Sequence, residues 1–166
     1  MTALLAASLL LVSAPQTADR DRLLNPEPMS PMTDHQAIRE VAEIAGFALY
    51  APSEIARGFA LRNIEVVKLP TDTRFAGAPA RNAVRMTFVN KTTADHFELI
   101  QAPATRATPQ RQMEWIVNRG FFEVVRGKSD TFVALRRGDR DLALMSGLLT
   151  APSARIVLEK SVLIRP

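Results

Sequence analysis

The chain has 166 residues, of which 47% are hydrophobic and 23% are charged, and this composition is typical of an ordinary globular domain. It contains no cysteine, which excludes a disulfide scaffold, cysteine-ligated zinc, a cysteine nucleophile and a lipid-modified cysteine. The net charge of +4 is a mild basic excess that indicates a solvated surface of mixed charge more than a dedicated polyanion site.

Residues 1–18 predict an export signal or a truncated membrane anchor. The uncharged run from Ala3 to Ala14 would form a helix of about 18 Å, too short for a bilayer core of about 30 Å. The small residue Ala18 stands where a signal could be cleaved. No Lys or Arg precedes the run, so the segment is either an atypical secretory signal or the end of a longer transmembrane helix. An ordinary buried helix is a third alternative.

Residues 19–32 contain three prolines and no hydrophobic periodicity, which predicts a linker. A single domain is expected over residues 33–166, beginning with a helix from Thr33 to Gly46. Thr33 and Gln36 have the spacing of a capping box, and Gly46 can adopt the left-handed conformation that ends a helix. One apolar stripe follows from the helical spacing of Ile38, Val41, Ala42 and Ala45.

Several strands are predicted after this helix. A short strand around Phe47 and Leu49 ends at Pro52, and a single turn closed by Gly58 leads into a long strand from Phe59 to Leu69. Phe59, Leu61, Val67 and Leu69 share one parity, and its interruption at Asn63 and Glu65 indicates a bulge or a strand end. Residues 71–80 are expected to form a loop, and residues 83–89 and 96–101 a hairpin.

Thr108 and Pro109 predict the start of a second helix, with proline at its favoured first position and Gly120 at its end. Strands are expected at 121–126, 130–136 and 140–146. The segment after Thr150 has helical spacing, although its β-prone runs leave helix and strand both open. Together the elements predict an α+β fold, with an antiparallel sheet of six to seven strands and two to three helices packed on one face.

The only histidines are His35 and His96, and neither has the context of a catalytic or metal site. His96 and Glu98 share one strand face, but zinc needs a third ligand and no HExxH motif is present. Neither a GxSxG motif nor a phosphate-binding glycine loop occurs. No catalytic, cofactor-binding or metal-binding residue is therefore assigned, no cofactor is expected, and the protein is predicted not to be an enzyme.

Two patterns bear on nucleic acids. Residues 119–127, "RGFFEVVRG", start like an RNA-binding strand, but Phe122 is bulky where that motif has a small residue, and Glu123 would repel phosphate. This favours a core strand, and no nucleic-acid partner is predicted. Eight basic residues are interleaved with acids, and their turn positions are typical of charges for solubility, which leaves a weakly basic face open: Arg106, Arg111, Arg119, Arg126, Lys128, Arg136, Arg137 and Arg140.

The order of "FALYAPSEIARGFAL", "AVRMTFVN" and "HFELIQAP" resembles the bacterial family called domain of unknown function 4367. The residues that carry the resemblance are Tyr50, Pro52, Gly58, Phe59, Leu61 and Gln101. The later runs "VNRGFFEVVRG" and "RRGDRDLALMSGLL" and a closing helix with Ser161 are also similar, over about residues 34 to 164. The resemblance implies an extracytoplasmic module, often tethered by a membrane helix and sometimes attached to anti-sigma regulators, and it carries no catalytic residues.

The sequence thus predicts an exported, non-enzymatic cell-envelope module, periplasmic or secreted, that binds a protein or envelope component, in envelope sensing or anti-sigma-linked regulation. The N-terminal segment would place it near a membrane. A periplasmic carrier of a lipid or lipoprotein is the alternative, and it requires an apolar cavity of at least roughly 300 Å³. A hydrolase of unrecognised type is the third hypothesis, with His35 and His96 as its general bases.

Overall fold

The computed structural model describes residues 31–53, 59–70, 81–93, 95–122 and 130–166. Within these ranges three helices and seven strands form an α+β fold, as the sequence predicts. The elements follow in the order α1 (Pro31–Ala45), β1 (Leu49–Ala51), β2 (Phe59–Leu69), β3 (Arg81–Asn90), β4 (His96–Pro103), α2 (Pro109–Asn118), β5 (Thr131–Arg137), β6 (Arg140–Ser146), α3 (Ala151–Lys160) and β7 (Val162–Ile164).

The strands form two antiparallel sheets. The larger sheet has the order β2-β3-β4-β6-β5, and the smaller is a ribbon of β1 and β7. The hairpin predicted from residues 83–89 and 96–101 is confirmed as β3–β4. After β4 the chain passes through α2 to the edge strand β5 and returns as β6, which lies between β5 and β4.

Helices cover both faces of the large sheet, so the expectation of helices on one face is wrong. One core cluster joins α1, α3 and the β1–β7 ribbon to one face. The other joins α2 to the opposite face through Met113, Ile116 and Val117. The reason lies in β6, where Leu144 faces the first cluster, Met145 faces the second, and both are buried. Because adjacent residues of a strand point to opposite faces, a strand buried throughout needs cover on both sides.

The interruption in the hydrophobic pattern of β2 is a bulge. This is one of the two alternatives predicted from the sequence, the other being a strand end. The register against β3 shifts between Leu61 and Asn63. The extra residue reverses the direction of every later side chain. Phe59 and Leu61 therefore pack with the first cluster, whereas Val67 and Leu69 pack with the second, although the four share one parity in the sequence.

Local sequence predicts the helix ends more accurately than it predicts which face of the sheet each strand residue occupies. Gly46 has a φ of 77°, and its N–H donates to the Ala42 carbonyl at 2.9 Å, so it ends α1 as predicted. Thr108 caps α2, with its side chain accepting from the Arg111 N–H and Pro109 in the first turn. The start of α1 differs, because the helix begins at Pro31 and Thr33 lies inside it.

The C-terminal segment contains both of the structures that its sequence left open. It is helical from Ala151 to Lys160 and then forms the strand β7. The helix ends where the Arg137 side chain donates hydrogen bonds to the carbonyls of Leu158 and Ser161. The strand follows because Val162–Ile164 pairs with β1, and this tertiary pairing selects the extended form.

Some predictions lie outside the described residues: the N-terminal signal, the linker before Pro31, the turn closed by Gly58, the loop at 71–80, and the strand at 121–126 from residue 123 onward. Phe121 and Phe122 are described and form a bend rather than a strand. None of the helices in the described ranges is long and apolar enough to cross a bilayer.

A buried glutamine on the large sheet contacts the main chain of the small one. Gln101 on β4 is fully buried. Its Oε1 accepts from the Tyr50 N–H at 2.8 Å, and its Nε2 donates to the Tyr50 carbonyl at 3.0 Å. The amide thus acts toward β1 as a neighbouring strand would. This contact fixes the β1–β7 ribbon against the centre of the large sheet.

We expect Gln101→Leu to lower the free energy of unfolding by about 2 to 4 kcal/mol, because both main-chain groups of Tyr50 would lose their buried partner. Urea denaturation measures this change. The matched control is Gln110→Leu on an exposed position of α2, which should change stability by less than about 0.5 kcal/mol. Equal losses in the two variants would contradict the role of Gln101.

Candidate functional site

A cavity of about 400 Å³ lies where the start of α1 meets the end of β1, the start of β2 and the end of β3. Its buried walls come from one carboxylate and a set of apolar or proline residues: Asp34, Ile38, Ala51, Pro52 and Phe88. Phe59 and Ala60 are half-buried, and His35, Ser53 and Lys91 are exposed at its mouth. This is an apolar space with one buried charge, and its volume is in the range of small-ligand sites.

Asp34 is buried because of its position on α1. It lies four residues before Ile38, so both side chains project from the face that packs on the sheet. Only 4% of its surface is exposed. A carboxylate in the first turn of a helix is favoured by the helix dipole, which offsets part of the cost of removing its charge from water.

The carboxylate of Asp34 is only partly paired. It accepts a hydrogen bond from the backbone N–H of Leu61, beside the bulge in β2. The other oxygen, Oδ1, is buried and has no hydrogen-bond partner among the described residues. Burial raises the pKa of Asp34, while the Leu61 N–H and the electrostatic attraction of His35 and Lys91 oppose this rise. Asp34 is thus a buried, partly paired carboxylate among the residues that line the cavity.

Aromatic packing holds two walls of this cavity in place. Phe88 stacks on Phe97 with ring centroids 4.8 Å apart, and Phe59 meets Phe97 at 5.3 Å in a tilted arrangement. Phe97 is itself buried in the core of the large sheet. Such ring pairs restrict side-chain motion, so the apolar walls are preformed.

A second cavity, of about 280 Å³, contains His96 and Glu98, the pair considered as metal ligands. Asp95 and Asp130 also line it. Asp130 fits closely here because residue 147 is glycine, and a Cβ at Gly147 would lie 3.1 Å from Oδ1 of Asp130. In the part of the chain that the structure describes, no three of these side chains are placed to hold a metal ion.

Glu98 is buried and belongs to a charge network, and its oxygen Oε2 has no hydrogen-bond partner among the described residues. Arg85 donates to Glu98 at 3.2 Å and to Glu65 at 2.6 Å, so one guanidinium serves two carboxylates. Burial raises the pKa of Glu98, and Arg85 is the largest opposing influence. The ring of Phe122 lies 5.5 Å from the Arg85 guanidinium. These contacts make the group a structural charge network across β2, β3 and β4.

The hydroxyl of Ser146, which lies near His96, forms its hydrogen bonds with main-chain groups. The Ser146 hydroxyl contacts the main-chain carbonyl of His96 at 3.4 Å, and it accepts the N–H groups of Leu148 and Leu149 at 3.1 Å each. It therefore shapes the turn after β6. A nucleophile would need its hydroxyl directed to the imidazole.

Three arginines at the β5–β6 turn make specific contacts instead of a basic face. Arg136 forms a bidentate pair with the buried Asp141, at 2.6 and 2.9 Å. Arg137 lies over the Tyr50 ring at 4.5 Å, and Arg140 lies over Phe47 at 4.7 Å. Of the other basic residues considered, Arg126 and Lys128 lie outside the described residues.

Sequence reasoning placed no residue of the first cavity in a site except His35, and it missed Asp34. A signal was present: Asp34 falls on the apolar stripe of α1, since residues 34, 38, 42 and 45 are spaced for one helix face. A charge on such a stripe indicates a buried acid. Its cavity could not be inferred, because the bulge in β2 and the corner at Pro52 form the other walls.

No family model matches the chain, and comparison with curated proteins and with solved structures gives no match either. The resemblance to the domain of unknown function 4367 therefore stays a prediction.

Because burial raises the pKa of Asp34, its ionisation in the folded state costs stability as pH rises from about 4 through the raised pKa. Asp34→Asn keeps an acceptor for the Leu61 N–H and removes this cost. We expect the stability of Asp34→Asn relative to the native chain to improve between pH 4 and pH 7, by about 1.4 kcal/mol for each pKa unit of the shift.

Urea denaturation at a series of pH values measures this difference. The control is Glu43→Gln, which removes an exposed carboxylate from the same helix and should show no such trend. A stability difference between Asp34→Asn and the native chain that stays constant with pH would contradict a raised pKa of Asp34 in the folded protein.

Proposed function

We propose that this protein is an exported, non-enzymatic module of the cell envelope that binds a protein or another envelope component. The observation that carries the proposal is the cavity at Asp34, with a volume of about 400 Å³. Binding sites are typically concave and mostly apolar, with a few placed polar groups. In this cavity the charged group among the buried lining residues is the carboxylate of Asp34.

The non-enzymatic part of the proposal draws support from the arrangement around His96. Ser146 is bound by backbone groups, and Glu98 is paired with Arg85. The Ser146 hydroxyl and one oxygen of Glu98 are thus engaged in holding the fold. Export is supported by the composition of residues 1–18 and by the family resemblance.

A periplasmic carrier for a lipid or lipoprotein is the second candidate, and the apolar walls at Ile38, Phe59 and Phe88 favour it. The cavity exceeds the volume of roughly 300 Å³ that this hypothesis requires, but it stays near the lower end of the usual range for ligand sites. A small envelope component therefore fits the observed volume better than a lipid with two chains.

Export predicts that the chain, produced with a C-terminal tag in a bacterial host, is recovered outside the cytoplasm. N-terminal sequencing should place the mature start near Asp19, where the charged segment begins. Leu10→Arg, which interrupts the apolar run, is the control and should keep the protein in the cytoplasm. Native protein found only in the cytoplasm, with residues 1–18 retained, would refute export.

A binding cavity should accept a small apolar probe. We expect hexan-1-ol, titrated into ¹⁵N-labelled protein, to shift the backbone amide resonances of Ile38, Ala51 and Phe88. Ser53→Trp places a bulky side chain at the exposed mouth of the cavity and should weaken the shifts, whereas Ala151→Trp on the exposed start of α3 should not. Absence of shifts in the native chain, or shifts of undiminished size in Ser53→Trp, would refute binding at this cavity.

A further inference from the structure

The strand β7 has one paired edge and one open edge. It pairs with β1 and has no second neighbour among the described strands. The main chain of Tyr50 on β1 bonds to Gln101 and therefore points away from β7. Leu163 stands opposite Tyr50, and in such a pair the main-chain groups of the two residues point away from each other. The N–H and the carbonyl of Leu163 thus lie at the open edge, where no other described residue bonds to them.

A groove of about 660 Å³, the β7 groove, lies along this open edge. One wall is formed by residues 162–166 and the other by His35 and Arg39 on α1. Because successive strand residues point to opposite faces, a groove that contacts all three residues of β7 contacts the edge of the strand. The described residues of β1, on the other edge, do not line it. The side chains of Val162 and Leu163 are 40% and 43% exposed, so apolar surface lies beside the free main-chain groups.

The charge of the β7 groove has one sign. Every ionisable side chain among its described lining residues is basic: His35, Arg39 and Arg165. Neither guanidinium has an ion pair or a hydrogen bond within the part of the chain that the structure describes. The arginines of the β5–β6 turn, by contrast, all have specific partners. The positive charge of the groove is therefore uncompensated, and it favours an acidic partner.

We infer that the β7 groove binds an extended acidic segment of a partner protein, which adds to β7 as a further strand. In this mode of peptide recognition, main-chain hydrogen bonds give affinity and side-chain contacts give specificity. The segment bonds to the main chain of Leu163, packs apolar side chains on Val162 and Leu163, and pairs its carboxylates with Arg39 and Arg165. The inference goes beyond the proposed function, because the only described residue that lines both this groove and the cavity at Asp34 is His35.

A second copy of this chain fits the groove less well than an acidic strand. Twofold dimers join the same surface patch from both subunits, so pairing of two β7 edges would bring two sets of basic side chains together. Like charges across an interface oppose association. An acidic segment meets both the main-chain and the electrostatic requirement of the groove.

The test titrates two matched peptides into the ¹⁵N-labelled full chain at pH 7 and low ionic strength: acetyl-Glu-Val-Glu-Val-Glu-Val-amide and acetyl-Lys-Val-Lys-Val-Lys-Val-amide. The acidic peptide should shift the amide resonances of residues 162–165 and bind at least about tenfold more tightly than the basic one. At saturation it should also slow the solvent hydrogen exchange of the Leu163 N–H, because that group gains a hydrogen-bond partner.

Variants separate main-chain pairing from charge. Leu163→Pro removes the N–H at the open edge, where proline is tolerated, and should abolish strand addition, whereas Leu163→Ala keeps the N–H and should retain most of the affinity. Arg39→Gln combined with Arg165→Gln should weaken binding of the acidic peptide at least about threefold. The control is Arg111→Gln, an exposed position on α2 across the large sheet, which should change the affinity by less than about twofold.

Urea denaturation verifies that each variant is folded. Should Leu163→Pro not fold, the arginine variants and the exchange of the Leu163 N–H in the native chain decide the question. Equal binding of the two peptides, no binding of the acidic peptide at about 1 mM, or a bound peptide that leaves the exchange of the Leu163 N–H unchanged would overturn the inference.

Two further outcomes would assign the open edge to another occupant and would also overturn the inference. A Leu163 N–H that is already protected from exchange in the free monomeric chain would mean that another segment of the same chain covers the edge. A native dimer that Leu163→Pro converts to a monomer, measured by analytical ultracentrifugation, would mean that β7 pairs with a second copy.

Titration of hexan-1-ol in the same samples keeps this inference apart from the proposed function. Failure of the acidic peptide to bind, with intact hexan-1-ol shifts at Ile38 and Phe88, would refute the role of the β7 groove alone. Peptide binding without those hexan-1-ol shifts would refute binding at the cavity alone.

Discussion

The rest of the structure depends on the buried side-chain amide of Gln101. It forms with β1 the hydrogen bonds that a neighbouring strand would otherwise supply. The ribbon strand β1 pairs with β7 on one side, and on its other side the main chain of Tyr50 bonds to Gln101 of the large sheet. Buried main-chain groups must be paired, so this contact fixes where the ribbon can lie. The β5–β6 turn adds to it, because Arg137 stacks on Tyr50 and also caps the end of α3.

The cavity is a consequence of this anchoring. With β1 held against β4, its end at Pro52 faces the first turn of α1 and the bulged start of β2. These elements meet without filling the space between them. Asp34 spans part of the gap by accepting the Leu61 N–H, and its second oxygen is left over. One oxygen of Asp34 therefore serves the fold, while the other stays buried without a hydrogen-bond partner among the described residues.

The arginines of the β5–β6 turn show which contacts a local sequence pattern predicts and which it does not. Turn arginines in a sequence are typical of solubilising charge, yet Arg136, Arg137 and Arg140 bind a buried carboxylate, helix-terminal carbonyls and aromatic rings. Their partners Asp141, Leu158 and Phe47 come from different elements. Asp141 lies only five residues from Arg136, but Leu158 and Phe47 are distant from Arg137 and Arg140 in the chain, so the roles of these two arginines could not be predicted from the turn alone.

The sequence by itself determined the elements whose causes are local. Gly46 ends α1 and Thr108 with Pro109 begins α2 because capping and backbone conformation involve only a few neighbouring residues. Strand alternation likewise predicted the β3–β4 hairpin, and its interruption near Asn63 indicated either a bulge or a strand end. Tertiary structure decided the rest: the cover on both sheet faces, the switch from α3 to β7, and the burial of Asp34. Each of these depends on contacts between segments distant in the chain, because burial and strand pairing are set by which surfaces meet.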